Sequence, residues 1–244
     1  MHRFFTDTSL EGESSVTITG DDVLHMTRVL RLKEDDDIVV CDSDGTDCVC
    51  SITSVSKYEV TAAILSRGKC QTEPPVNITL YQGVPKGDKL DTVVQKSVEL
   101  GAVRIVPVAM KRSVAVIKDG EKKRQRLQKI ADEAAKQCSR GKLVRVESVM
   151  TFKQAIEDAK NNFDMKLLPY EDEKVKSIKE VLKDGAGTKS VCIFIGPEGG
   201  FDPSEVEFAK ENGFSSVSMG PRILRTETAP LAAITAVMYE LGDW

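Results

Sequence analysis

The sequence predicts an α/β protein in two parts: a small β domain, then a mostly parallel sheet with helices on both faces. Three observations predict it. Short β-like runs dominate residues 1–72. Glu73-Pro74-Pro75 then forms a stiff break that reads as a linker. Beyond it, apolar strand-like runs alternate with segments whose apolar residues recur every three or four positions, the pattern of a parallel sheet covered by helices. A chain of 244 residues suits one or two domains and buries a core without staples.

In the first part, Asp21 to Leu30 fits one short helix. Ile38 to Cys41 is an apolar run, and Asp42-Ser43-Asp44-Gly45 is a turn. Cys48, Cys50 and Ile52 alternate on one face, as do Tyr58, Val60, Ala62 and Ile64. A small β-barrel or sandwich over residues 1–72 follows. In the second part, residues 73–244, Val76 to Tyr81 is a strand. Leu90, Val93, Val94 and Val98 mark a helix that Gly101 ends. Val103 to Val108 is a strand. Leu127, Ile130, Ala131, Ala134, Ala135 and Cys138 mark a long amphipathic helix. Met165 to Leu168, Val191 to Ile195 and Ser215 to Ser218 are strands. Helices follow at Lys174–Leu182, Pro203–Asn212 and Glu227–Leu241.

Composition excludes several classes. The longest apolar runs, such as Val191 to Ile195, fall far short of the ~20 residues of a membrane span. The start, Met1-His2-Arg3-Phe4-Phe5-Thr6-Asp7, carries no signal-peptide core. Six cysteines without a C-x-x-C pair read as reduced thiols of a cytoplasmic protein. Two histidines rule out a His-rich metal site, and no metal is expected. The net charge of −4 is uneven: residues 1–72 hold 7 basic and 13 acidic side chains, and residues 118–145 hold 10 basic and 4 acidic. Indiscriminate nucleic-acid binding is disfavoured, while a local basic face remains open to phosphates.

Ligands of open α/β sheets bind beyond the carboxyl ends of strands, and three such ends are unusual. Leu167-Leu168-Pro169-Tyr170-Glu171 is the first. Gly196-Pro197-Glu198-Gly199-Gly200-Phe201 is the second, a cradle for close backbone approach or simply a tight turn. There, Asp202, Pro203 and Glu205 carry helix-capping chemistry, not catalysis. The third, Met219-Gly220-Pro221-Arg222-Ile223-Leu224-Arg225-Thr226-Glu227, sets two arginines where they hold phosphate or an oxyanion, or form a solvated turn. Neither G-x-G-x-x-G nor a P-loop is present, which argues against a dehydrogenase. The stripe Lys122, Arg126, Lys129, Glu133, Lys136 and Arg140, beside Gln137, tracks a nucleic-acid backbone or is a solvated face. His25, Arg28 and Arg31 repeat at three-residue spacing on the N-terminal helix, with the same two readings. Pattern alone reads as Rossmann-like.

These pieces together resemble the ribosomal RNA small subunit methyltransferase E family. The likeness runs from Met1-His2-Arg3-Phe4-Phe5 and His25-Met26-Thr27-Arg28-Val29-Leu30-Arg31 through Gln95-Lys96-Ser97-Val98-Glu99-Leu100-Gly101 and Ala134-Ala135-Lys136-Gln137-Cys138-Ser139-Arg140. It ends with the Gly196–Phe201 motif and Gly220-Pro221-Arg222-Ile223-Leu224-Arg225-Thr226-Glu227-Thr228-Ala229. The resemblance implies a PUA-like RNA-binding domain over 1–72 and a SPOUT methyltransferase domain over 73–244, with a trefoil knot and a homodimer. It implies N3-methylation of a uridine in 16S rRNA, within the 30S subunit, from S-adenosylmethionine. Two other readings stay open: a related enzyme acting on another nucleoside or a ribose 2′-OH, and a non-catalytic RNA-binding assembly protein.

The cofactor is then expected at Leu167, Leu168, Pro169, Tyr170, Gly196, Pro197, Glu198, Gly199, Gly200, Met219, Gly220, Ile223, Leu224 and Arg225. Glu198 either takes the N3 proton, which calls for a raised pKa, or braces the loop. Arg225 stabilises charge on a uracil carbonyl. Arg3, Arg28, Arg31, Lys86, Lys136, Gln137, Arg140 and Arg222 are expected on the RNA.

Overall fold

The computed structural model describes residues 1–42, 45–114 and 119–244. They form two compact units. One comprises Met1–Glu73 with Ala135–Leu143, the other Pro74–Ala134 with Val144–Trp244.

The first unit is a five-stranded sheet in the order β1-β3-β4-β5-β2, made of β1 (His2–Phe5), β2 (Ser15–Thr19), β3 (Asp37–Cys41), β4 (Thr46–Val55) and β5 (Glu59–Lys69). β1 pairs parallel with β3, and the other pairs are antiparallel. Cys48, Cys50 and Ile52 point inward as their alternation predicts, with Val60 and Ala62 facing them. Tyr58 breaks the expected stripe: it stands 75% exposed before β5 begins. The turn expected at residues 42–45 includes Ser43 and Asp44, which lie outside the described residues. The helix expected over Asp21–Leu30 is a single α turn, α1 (Asp21–Leu24), continued as a π turn over His25–Val29. The wide turn carries the bond from the Leu30 amide to the His25 carbonyl, 3.0 Å, and Met26 anchors it at 0% exposure. Arg31 then takes a left-handed φ of 56°, costly for a side chain with a Cβ.

The second unit holds a seven-stranded sheet. Its path is β12 (Ser215–Val217), β10 (Met165–Pro169), β11 (Ser190–Ile195), β6 (Asn77–Gly83), β7 (Ala102–Ala109) and β8 (Arg145–Val146), with β9 (Met150–Thr151) also on β7. Every pairing is parallel. β6 and β11 are buried along nearly their whole length, which is why they read as unbroken apolar runs. α2 (Lys89–Glu99) buries Leu90, Val93, Val94 and Val98, and Gly101 takes a φ of +97° just past it. α3 (Gly120–Gln137) buries Leu127 and Ala131.

α4 (Phe152–Ala159) and its capping box, Thr151 with Gln154, went unread in the sequence, because its apolar face is short. α5 (Ile178–Lys183) starts four residues later than expected. The Glu173 carboxylate holds the Val175 and Lys176 amides in a turn, and Ser177 with Glu180 forms the capping box. α6 (Pro203–Glu211) is capped by Asp202 and Glu205 as its sequence predicts. α7 (Ala229–Leu241) returns from the edge strand β12 to pack on α2, β6 and β11. No helix of the described residues is long and apolar enough to cross a membrane.

Candidate cofactor cleft

β6, β10, β11 and β12 are parallel, so their carboxyl ends open on one side of the sheet. The loops there enclose a cleft of about 730 Å³, within the range of small-molecule sites. Pro169 and Tyr170 supply one wall, Gly196, Pro197, Glu198 and Gly200 a second, and residues 218–229 the third. Backbone bonds tie the walls together. The Tyr170 amide donates to the Val217 carbonyl at 3.0 Å, and the Ser218 amide to Lys176 at 2.8 Å.

Glycine is needed where these walls meet. Gly200 has a φ of +68°, which L side chains rarely adopt, and a Cβ there would press on the Glu171 carboxylate. A Cβ on Gly83, at the end of β6, would lie 2.6 Å from the Pro197 backbone nitrogen. The result is a cradle of exposed backbone with apolar sides from Ile195, Phe201, Met219 and Leu224. That suits an adenosine and a methionine chain, so the donor set fits S-adenosylmethionine. Among the described residues, no group of three or more His, Cys, Asp and Glu is placed to hold a metal.

The floor is a buried polar tie. Thr226 Oγ1 donates to the Gly196 carbonyl at 2.8 Å and accepts from Gln82 Nε2 at 3.1 Å. At the mouth, Glu198 Oε1 accepts from the Lys86 amide at 3.1 Å and from Lys89 Nζ at 3.0 Å. Partial burial opposes the Glu198 charge. Its own amide, the Lys89 ammonium and the Lys86 amide outweigh that, and the carboxyl is held below the usual range. The raised pKa expected for a proton-accepting Glu198 is therefore not observed. Glu173 is held down to about 2, first by the Ser216 hydroxyl and then by the Val175 amide.

Arg222 and Arg225 line the cleft with no carboxylate partner among the described residues. The Arg225 backbone is fixed, its carbonyl accepting from the Thr228 and Ala229 amides at 2.8 and 2.9 Å. Met219, Gly220, Ile223 and Leu224 line the same wall.

Three expected cofactor residues stand elsewhere. Leu167 and Leu168 are buried within β10, 0% and 1% exposed, because the strand continues past them. Gly199 is turned away from the cleft lining, and its carbonyl accepts from Arg112 at 3.2 Å. Of the residues expected on RNA, three are engaged within the first unit. Arg3 grips Asp47 at 2.7 and 2.9 Å, Lys136 pairs with Asp22, and Arg140, 3% exposed, pairs with Glu73 at 2.8 and 3.0 Å. Burial and the Glu73 pair leave little of the Arg140 guanidinium open to a phosphate. Arg28, Arg31, Lys86, Gln137 and Arg222 are exposed. Gln82 and Lys89 lie outside the loops singled out in the sequence, whereas Glu171 and Thr226 lie within them but carried no role of their own. The position of Lys89 in the strand-end segment after β6 was the available signal.

The RNA methyltransferase domain family matches residues 72–238 of this chain, well over half of it. The chain belongs to that family. An RNA methyltransferase PUA domain matches residues 18–65. The chain is 36% identical to the ribosomal RNA small subunit methyltransferase E of Bacillus subtilis, over 98% of this chain and 97% of that protein. It is 29% identical to the same enzyme of Aquifex aeolicus, over 98% and 99%. The Neisseria gonorrhoeae enzyme, solved bound to S-adenosylmethionine, superposes with a TM-score of 0.90 at 31% identity, covering 100% of this chain and 99% of that one. The fold is thus the SPOUT methyltransferase class with a PUA-like domain. The Rossmann-like reading of the pattern is corrected: alternation reports parallel strands, not the path of the chain between them.

Proposed function

We propose that this chain is an S-adenosylmethionine-dependent methyltransferase acting on N3 of a specific uridine in 16S rRNA. The observation that carries the reading is the convergence of the Gly196–Phe201 and Met219–Glu227 loops on one cleft, with Arg225 among its lining residues and without a carboxylate partner among the described residues. The bound cofactor supplies an electrophilic methyl group. Pro169, Tyr170, Gly196 and Gly200, together with Met219, Gly220 and Leu224, would hold its adenosine and methionine parts. Arg225 donates to a uracil carbonyl as negative charge builds there, which favours release of the N3 proton to solvent water before the methyl group is accepted. Holding the two reactants in line supplies much of the remaining rate. Glu198, kept ionised and clamped, braces its loop.

Residues 1–72 act as the RNA-binding domain and residues 73–244 as the methyltransferase domain. Arg28, Arg31, Lys86 and Arg222 contact rRNA phosphates. The substrate is the 30S subunit, its uridine unpaired or flipped outward, and the setting is the cytoplasm. The chain acts as a homodimer, as its likeness to the methyltransferase E family implies.

The test incubates purified protein with labelled S-adenosylmethionine and 30S subunits lacking the modification, followed by nucleoside mass spectrometry. A 3-methyluridine product supports the proposal. A different methylated nucleoside, or no transfer, overturns it.

A further inference from the structure

The cleft contains a lysine that no sequence motif marks. Lys89 is the first residue of α2. A positive charge there opposes the helix dipole, so helix formation gives no reason for it. Its ammonium lies 3.0 Å from Glu198 Oε1 and 3.5 Å from Glu227 Oε2. Those carboxylates belong to different loops, one after β11 and one before α7. Their oxygens are no farther apart than the two contacts laid end to end, 3.0 and 3.5 Å. Glu227 Oε2 is buried and accepts no hydrogen bond among the described residues, which leaves the ammonium as the charge that faces it. Without that ammonium, two carboxylates face each other across the cleft. Like charges at such range either take up a proton or move apart.

We propose that Lys89 is a positioning residue: its ammonium neutralises Glu198 and Glu227 together and so holds the two cofactor loops at their working separation. The inference rests on the reading of this cleft as the S-adenosylmethionine site. It differs from a packing role in one respect. The need for Lys89 disappears when one of the two carboxylates loses its charge.

The experiment measures S-adenosylmethionine affinity by titration calorimetry, without RNA, for wild type, Lys89→Met, Lys89→Arg, Glu198→Gln and the Lys89→Met/Glu198→Gln pair. Thermal melting of each free protein checks the fold, and Lys89→Gln replaces Lys89→Met if the latter melts early. Lys89→Met is expected to weaken binding about tenfold or more, and Lys89→Arg less than about threefold. In the Glu198→Gln background the same change should cost less than about threefold, while Lys89→Arg, which keeps the charge and alters the packing, stays close to wild type. An equal loss in both backgrounds, or no loss in either, overturns the proposal. Wild type that binds no S-adenosylmethionine overturns the cofactor reading itself, and the role of Lys89 with it.

Discussion

Replacing Thr226 by valine keeps the shape of the side chain and removes the hydroxyl that ties the cleft floor together. Thr226 is 6% exposed and joins three elements of the chain: its own loop, the Gly196 carbonyl at 2.8 Å and Gln82 Nε2 at 3.1 Å. Without the hydroxyl, the Gly196 carbonyl loses its donor. Gln82, 0% exposed, keeps only the Gly83 carbonyl at 3.0 Å, with its Oε1 already unpartnered. An orphaned buried acceptor costs about 1–3 kcal/mol and a lost neutral hydrogen bond about 1 kcal/mol. Access of cleft water to Gly196 places the sum near the lower end, about 2–3 kcal/mol. For a chain of this size that is a fall in melting temperature of about 4–12 °C. Denaturant unfolding and calorimetric melting measure it, and titration with S-adenosylmethionine measures the accompanying loss of affinity. Thr226→Ser, which keeps the hydroxyl, should recover most of both. Thr226→Val within about 0.5 kcal/mol of wild type, with unchanged affinity, would refute the reasoning.

Three further perturbations separate binding, chemistry and architecture. Arg225→Ala removes a guanidinium with no carboxylate partner among the described residues, so cofactor affinity and melting should hold while kcat on 30S subunits falls about 10²–10³-fold; near-normal turnover would end that role. Arg140→Ala leaves Glu73 with only the Gly141 and Lys142 amides, where the Arg140 side chain is 4% and the Glu73 side chain 19% exposed, and should destabilise the first unit by about 1–3 kcal/mol. A filter-binding loss without a stability loss would instead return Arg140 to the RNA. Glu173 has its carboxyl lowered to about 2 in the fold. Its stabilisation is therefore full above the unfolded carboxylate range near 4.3 and drains away as pH falls toward 2. Between pH 6 and 3 the melting temperature of wild type should fall faster than that of Glu173→Gln, and parallel curves would count against the assignment.

Much of the molecule was legible in the sequence because its physics is local. β6 and β11 are sandwiched between helices, so they announce themselves as apolar runs. The Asp202–Glu205 capping box is a reciprocal pair three residues apart, and it formed as read. The two glycine-bearing loops were found because strand ends in such sheets are where ligands sit. The π turn at His25–Val29 was not legible, since the five-residue reach of the Leu30 amide to the His25 carbonyl, 3.0 Å, leaves no mark in the apolar spacing around the buried Met26.

What the sequence by itself determined is therefore the inventory: strands, helices, caps and the loops able to approach a ligand. What only the tertiary structure decided is the use of each charge. Arg140 and Arg225 look alike as arginines in motifs, yet one is buried on Glu73 and the other lines the cleft without a carboxylate partner among the described residues. Glu198 reads in sequence as either a base or a loop brace, and only the fold shows that the Lys86 amide and the Lys89 ammonium reach it across more than a hundred residues of chain. An ionisable group takes its role from the charges within a few ångströms of it, and distance along the chain does not encode that.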